Sequence, residues 1–524
     1  MHQRRLYRIT WVIPLLVPLG CAQVNPTPDY RRAAEEIMSA TAMDTVYDPN
    51  EDAEIGRRVA EIVRAGLTAE DAVRVALLNN PTLQAAFYRI GMARADVVQS
   101  GLFSNPSLSF SLQFPEGGGR SNLQASLAQN IVDLWQIPVR KRVSESTLTE
   151  TVLSIGRDGA RLAADVKAAY FAAVAADRHL TIAKENLEVA RNLLDVTQAR
   201  QKAGAVGELD VNLARSPVLT AELDVQSARF GADTARRRLA ILLGLTGRGE
   251  ELQLIEPLPQ PPEMSLPSDH IVEVALEARL DLSAARQTST SAEQRVREEY
   301  LKVFPNIEIG PFLERSESRG QPGRNILADT ARSSVAAGGL TAPDIQSRGQ
   351  RDQARRQEIN SILGPALTMT LPIFDQNQAQ IAKAEYEYQQ TLKQLDAIKR
   401  AVVQEARQAA DQAETAWKIA RYYEAQVVPQ ALQALELSDT SYRAGKTSIV
   451  TVLEAQRTLL ATRRSSVNAA RDAAQAIADL ERATGRPLSV LLPHTPPTHP
   501  EPTEADANAA SIQEPTESTM EANP

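Results

Sequence analysis

The sequence predicts a mainly α-helical protein with a small transmembrane β part, built from two internal repeats. Three observations support this prediction. Short motifs recur at constant distances along the chain, strictly alternating segments follow them, and long stretches almost free of helix breakers come next. Repetition of this kind is typical of pseudo-symmetric architectures rather than of a protein with a single active-site cleft.

The motifs of the first half recur in the second half in the same order. A spacing of 199 relates Ala76-Leu77, Leu83, Pro106, Leu108 and Phe110 to Ala275-Leu276, Leu282, Pro305, Ile307 and Ile309. Further matches are Ile131-Val132-Asp133 with Ile373-Phe374-Asp375 at 242, Ala203-Gly204 with Ala444-Gly445 at 241, and Thr246-Gly247 with Thr484-Gly485 at 238. The change from 199 to 242 indicates a 43-residue insertion in one loop of the second repeat.

These matches divide the chain into six parts. They are a signal peptide (1–20), an N-terminal linker segment (21–66), repeat 1 (67–249), a Pro-rich crossing segment (250–266), repeat 2 (267–492) and a tail (493–524). Each repeat is expected to contain a helix, two strands and two long helices, and repeat 2 also carries a long surface loop, 314–361. The tail lacks the apolar content needed for a core, so we expect it to be disordered.

Composition excludes several classes of function. Aromatic residues make up only 4% of the 524 residues, which is closer to coiled-coil than to globular composition. The single cysteine cannot form an intramolecular disulfide, and the scattered histidines and methionines predict no metal or cofactor site. We find no nucleophile and base constellation, so an enzyme is not predicted. A net charge of -8 argues against a nucleic-acid partner.

The amino terminus has the features of an export signal. Arg4, Arg5 and Arg8 precede an apolar run from Ile9 to Leu19 that is too short to span a bilayer as a helix. Cys21 follows directly after Gly20, as at a bacterial lipoprotein processing site. We therefore predict lipidation at Cys21. The alternative is an ordinary cleaved signal with an incidental cysteine.

Four segments alternate strictly between polar and apolar residues. They are Ser107 to Leu112, Leu123 to Leu127 beyond a Gly117-Gly118-Gly119 turn, Ile307 to Ile309, and Leu367 to Ile373. Alternation lets one face of a strand meet lipid while the other meets a wet lumen, although a half-buried sheet in a soluble protein gives the same pattern. Four strands cannot close a barrel alone, because the open edges would face hydrocarbon without partners. Several copies must therefore pool their strands, and three copies would supply twelve.

The remainder of each repeat is predicted to form long helices. The segments are 142–201 and 210–243 in the first half, and 378–443 and 449–482 in the second. At 1.5 Å per residue, a helix of about 60 residues reaches roughly 90 Å, far longer than a globular domain needs. A soluble coiled-coil rod would fit this helix content equally well.

Three segments make the chain similar to the TolC family of outer-membrane efflux channels. They are LTAEDAVRVALLNNPTL (67–83), TLPIFDQNQAQIAKAE (370–385) and YRAGKTSIVTVLEAQ (442–456). The resemblance is to the lipoprotein branch of this family, which includes heavy-metal efflux components. It implies a homotrimer in which four strands per chain close a twelve-stranded barrel, continued by a long helical coiled-coil tunnel across the periplasm.

The resemblance also implies a function. The chain would be the outer-membrane channel of a tripartite efflux or secretion system, through which substrates leave passively. Its partners would be a periplasmic adaptor protein, an inner-membrane pump of RND type, and outer-membrane lipid. It would lie in the bacterial outer membrane, anchored at Cys21. A periplasmic coiled-coil lipoprotein with a structural or spacing role is the alternative.

The site residues implied by the resemblance lie at two periplasmic hairpin tips. Glu454 keeps the second carboxylate of an acidic pair at the gate, and Thr451 replaces the first. Asp210 and Tyr442 match positions that hydrogen-bond each other in the closed state, while a companion arginine falls on Thr447. The tips expected to contact the adaptor contain Ala203, Gly204, Ala444, Gly445 and Lys446. A solvated coiled-coil surface is the alternative for all of these residues.

Overall fold

The computed structural model describes residues 22–114, 121–246, 252–259, 267–317, 335–336, 338 and 359–491. Repeat 1 and the segment before it contain α1 (Thr27–Thr41), α2 (Asp52–Ala65), α3 (Ala69–Asn79), α4 (Pro81–Ser100), β1 (Ser107–Gln113), β2 (Asn122–Asn130), α5 (Asp133–Lys202) and α6 (Glu208–Leu242). Repeat 2 contains α7 (Ser268–Ala278), α8 (Leu280–Leu301), β3 (Ile307–Glu317), β4 (Ile359–Met369), α9 (Gln378–Tyr422), a π-helical turn (Tyr423–Val427), α10 (Val428–Arg443), α11 (Ile449–Thr484) and α12 (Leu488–Leu491).

The two halves have the same order of elements, as the duplicated motifs predict. One predicted match, that of Gly247 with Gly485, is wrong. Gly244 ends the turn after α6 with φ 69°, and Gly485 follows α11 with φ 68°. Gly244 lies against Asn79 and Gly485 against Ala278, two residues at the 199 spacing. Gly244 rather than Gly247 is therefore the equivalent of Gly485, and the spacing here is 241, the same as at the hairpin tips.

The four strands form one antiparallel sheet in the order β1-β2-β3-β4. Two predicted boundaries are corrected. Strand β4 ends at Met369, so Leu371 and Ile373 lie beyond it, and β3 and β4 pair as far as Glu317 and Ile359, which shortens the loop expected at 314–361. The predicted turn at Gly117-Gly118-Gly119 lies outside the described residues.

The sheet has one apolar face and one largely polar face. On the apolar face Leu108 lies opposite Leu127 and Phe110 opposite Ala125, and β3 and β4 continue this face with the pairs Ile309 with Leu367 and Leu313 with Leu363. The apolar side chains are exposed, Leu108 by 75%. The other face carries the pairs Ser109 with Ser126, Ser111 with Gln124 and Glu308 with Thr368. Because a slip of one residue would exchange the two faces, alternation fixes the register.

The long helices extend away from the sheet as two antiparallel pairs. Helix α5 has 70 residues, which corresponds to about 105 Å, and α6 returns along it. Helices α9 and α10 form the matching outward path of repeat 2, and α11 returns. Small residues fill much of the contact between α9 and α11, among them Ala406, Ala413, Ala469 and Ala473, which lets the helix axes approach closely.

The segment 21–66 folds as two helices where a linker is expected from the sequence. Tyr30 and Ile37 of α1, and Ile55 and Val59 of α2, are buried in the main core cluster with residues of α3, α4 and α5. Each helix is short, so its stability depends on this tertiary packing more than on its own sequence. Cys21 lies outside the described residues.

Within the described part of the chain, every helix is too short or too polar to cross a membrane.

Candidate functional site

The candidate site lies at the two hairpin tips, where α5 turns into α6 and α10 into α11. Gly204 and Gly445 occupy equivalent turn positions with φ 74° and 72°, a region that favours glycine. The same backbone bonds close both turns. The N–H of Ala205 donates to the carbonyl of Arg200, and the N–H of Lys446 donates to that of Ser441, each at 2.9 Å. The duplication thus extends to the hydrogen bonds of the tips.

Tyr442 is buried at the tip of the second hairpin, with only 2% of its surface exposed. Its hydroxyl lies 3.3 Å from Oγ1 of Thr197 on α5. The guanidinium of Arg200, one turn further along α5, stands 4.4 Å from the centroid of the Tyr442 ring. Arg200 Nη1 also donates a 2.7 Å hydrogen bond to the backbone carbonyl of Tyr442. All of these contacts join the second hairpin to the first within one chain.

A small apolar cluster lies beside these polar contacts. It consists of Leu193, Ala214, Tyr442, Ile449 and Val452, contributed by α5, α6, α10 and α11. The two hairpins of one chain therefore share a core at their tips.

Asp210 lies at the start of α6. Its Oδ2 accepts a 3.3 Å bond from the N–H of Gly207, which caps the first turn of the helix, and its carboxylate also lies at the positive end of the helix dipole. Within one chain the structure does not bring Asp210 to Tyr442, because the Tyr442 hydroxyl faces Thr197.

Glu454 and Thr451 are exposed on one side of α11, opposite the buried Val452 and Gln456. The Glu454 side chain is 67% exposed and lies 3.5 Å from Arg457 on the next turn. Such an exposed pair contributes little to stability. Thr451 is the equivalent of Asp210 in the repeat, at the 241 spacing, so one carboxylate of a symmetric pair is missing.

The residues predicted to contact an adaptor are all exposed at the turns: Ala203, Gly204, Ala444, Gly445 and Lys446. Thr447 beside them is exposed as well. The structure therefore leaves the predicted contact surface accessible in one chain.

Polar pairs continue the contact between α5 and α11 below the tips. Gln456 Nε2 donates to Asn186 Oδ1 at 3.1 Å, and His179 Nε2 lies 3.1 Å from Asn468 Oδ1. Burial lowers the pKa of His179, and the positive charges of Arg464 and Arg471 act in the same direction, while the Asn468 contact opposes them. Hydrogen bonds thus add to the apolar contacts between the hairpins.

Sequence reasoning missed Arg200 and Thr197. Both lie on a helix predicted to be long and featureless, and the partner of Arg200 is 242 residues away. The available signal was an arginine in the last turn before the first tip facing a tyrosine in the last turn before the second.

The family model for the outer membrane efflux protein matches residues 72–245 and 271–486, which coincide with the two repeats. The chain belongs to this family. The predicted resemblance and the TolC-like fold class are therefore confirmed, and membership of an outer-membrane family agrees with the predicted location.

Several members of the family are similar along much of the chain. The pyoverdine export outer membrane protein OpmQ of Pseudomonas aeruginosa is 25% identical over 339 residues, which span 62% of this chain and 61% of OpmQ. The cobalt-zinc-cadmium resistance protein CzcC of Cupriavidus metallidurans is 22% identical over 477 residues, 90% of this chain and 99% of CzcC. The CmeC outer membrane channel of Campylobacter jejuni has the same fold, with a TM-score of 0.61 at 17% identity over 90% of this chain and 93% of CmeC.

Proposed function

We propose that this chain is the outer-membrane channel component of a tripartite efflux or secretion system. Substrates would leave through it passively, from an assembly of a periplasmic adaptor and an inner-membrane pump of RND type to the exterior. Family membership supports a location in the outer membrane and a role in efflux. The geometry of the sheet supports the channel.

The observation that carries the proposal is the two-faced, open-edged sheet. The large apolar side chains of this face are exposed in one chain, and the 11-residue strands β3 and β4 have the length of a tilted path across a bilayer. Strands β1 and β4 are at the two edges of the sheet. Unpaired edges in lipid are costly, so neighbouring chains must pair with them. A homotrimer with twelve strands satisfies this requirement and extends the long hairpins as a tunnel.

The test is insertion and conduction by the purified full chain. We expect it to need detergent for extraction, to run as a heat-modifiable trimer on gels, and to form channels in planar bilayers. Replacing Phe110 with Asp puts a charge on the lipid face and should abolish insertion, whereas Ser109→Asp on the other face should preserve it. A monomer in detergent-free buffer that forms no channels would refute the proposal and favour a periplasmic spacer lipoprotein instead.

A lipid anchor at Cys21 is part of the proposal. Asp29 of α1 is bonded to Arg94, which lies in the last two turns of α4, and α4 leads directly to β1. The first turn of α1 is therefore close to the membrane end of the molecule. Helix α1 begins at Thr27, six positions after Cys21, and an extended chain of that length spans about 20 Å toward the bilayer. Metabolic labelling with palmitate should mark the wild type and not Cys21→Ser.

The gate is proposed at the hairpin tips. Three copies of Glu454 around a closed entrance would attract cations, with Thr451 in place of a second acidic ring. Asp210 and Tyr442 stay the proposed latch of one hairpin against another, and the exposed turns are the proposed adaptor contacts. OpmQ is named for pyoverdine export and CzcC for cobalt, zinc and cadmium resistance. Because a passive conduit selects only by width and charge, we propose that the pump and adaptor choose the cargo.

A further inference from the structure

Arg200 makes two different contacts with the same residue of the second hairpin. Its guanidinium lies over the Tyr442 ring at 4.4 Å and donates to the Tyr442 carbonyl at 2.7 Å. It also approaches the turn itself, because a Cβ added to Gly445 would lie 4.0 Å from Arg200 Nη2. The side chain therefore fills the angle between the ring and the turn.

These contacts select arginine over lysine. A planar guanidinium can stack on an aromatic ring while its N–H groups donate hydrogen bonds to acceptors beside the ring. An ammonium is a single compact charge and cannot do both. Arg200 is half-buried, and among the described residues it makes no ion pair with a carboxylate. Its contacts are with the ring and the carbonyl of Tyr442, so its position depends on the second hairpin.

The same contacts orient Tyr442. With the ring held under Arg200, the hydroxyl points to Thr197, which is completely buried. The contacts with Arg200 and Thr197 therefore hold Tyr442 against the first hairpin.

We infer that Arg200 is a positioning residue of the gate, which holds the second hairpin tip against the first within one subunit and must release Tyr442 before the tip can move. This inference rests on the proposed channel function. It adds Arg200 of the first hairpin to the residues that restrain opening.

The test is single-channel recording of the full trimer in planar bilayers. Arg200→Gln should raise the open probability about tenfold, the ratio expected for the loss of one charge-assisted hydrogen bond. Arg200→Lys should give an intermediate value. Arg191→Gln is the matched control, because Arg191 lies on the same helix and pairs with Glu222 of the first hairpin alone. It should leave the recordings unchanged.

A structural role alone would not produce coupling between the two residues. Tyr442→Leu should raise the open probability, and Arg200→Gln combined with Tyr442→Leu should add nothing to the larger single effect. Additive effects, or Arg200→Gln channels that behave like the wild type while the heat-modifiable trimer is intact, would overturn the inference. If Arg200→Gln yields no trimer, the same double-variant comparison is made with Arg200→Lys and Tyr442→Leu, and additive effects would again overturn the inference. A wild type that forms no channels would instead refute the proposed function.

Discussion

Ile37 of α1 lies directly against the backbone of Gly159 in α5. A Cβ added to Gly159 would stand 2.6 Å from Ile37 Cδ1 and 2.7 Å from its Cγ1. Ile37 is fully buried, so it has little room to move aside. This close contact attaches the N-terminal helix to the longest helix of the molecule.

Replacing Gly159 with Val should therefore displace α1. Overpacking of a filled core costs about 1–3 kcal/mol, which we expect to lower the thermal midpoint and expose the segment before α2 to protease. Gly231→Ala in α6 is the control, since nothing lies within 4 Å of its added Cβ. This variant should gain about 0.5–1 kcal/mol from helix propensity. Equal stability of Gly159→Val and the wild type would show that α1 is not held there.

Arg94→Met should release the same helix by a different route. The Asp29 side chain is 2% exposed, and Arg94 binds it through two nitrogens at 2.6 and 2.7 Å. Removing one partner of a buried pair costs about 3–5 kcal/mol. Arg32, which lies 3.7 Å from Asp29, should offset part of that cost. Thermal unfolding followed by circular dichroism measures the loss. Arg57→Met, which removes an exposed pair with Glu54, should change the midpoint little, and a similar drop in both variants would contradict the expectation.

The charge of the proposed gate can be altered in both directions. Glu454→Gln should lower the preference for cations over anions in planar bilayers, because three carboxylates leave the entrance of the trimer. Thr451→Asp should raise that preference, since it restores the carboxylate found at the equivalent Asp210. Reversal potentials in a salt gradient measure both effects. Unchanged reversal potentials in both variants would remove Glu454 from the gate.

The stability of the hairpin contact should depend on His179. Its pKa in the folded chain is lowered from 6.5, chiefly by burial, with Arg464 and Arg471 of α11 acting in the same direction. The unfolded chain then binds more protons, so the stability that the neutral ring contributes is present above about pH 6.5 and is lost as the pH falls through the folded-state pKa. His179→Gln should show a smaller fall in thermal midpoint between about pH 7.5 and 5.5 than the wild type. Parallel curves would assign the pH dependence to other groups.

The strands could be predicted from the sequence because their two faces meet different surroundings. Strict alternation from Ser107 to Leu112 marks β1 almost to the residue. The end of β4 was placed too far along, since Leu371 and Ile373 keep the alternation after pairing with β3 has stopped. Periodicity records which side chains face apolar surroundings and does not show where backbone pairing stops.

Helix ends and contacts between distant residues were harder to predict from the sequence. Helix α5 begins at Asp133, ahead of the predicted 142, because it tolerates Pro138 in its second turn. Helices α1 and α2 depend on surfaces such as Gly159 that are far away in sequence. The same holds for Arg200, whose role depends on a ring and a carbonyl in the other repeat. Local patterns predict elements, while these contacts exist only after the repeats have packed together.

The segment between the last two described helices lies beside α1. Arg486 Nη1 bonds to the carbonyl and hydroxyl oxygens of Ser39, and Glu481 pairs with Lys167, which stands midway along α5. A fluorescent reporter or affinity tag fused after Leu491 would therefore be attached near the middle of the long helices. It would leave both extremities unobstructed, which makes this position suitable for following assembly in living cells.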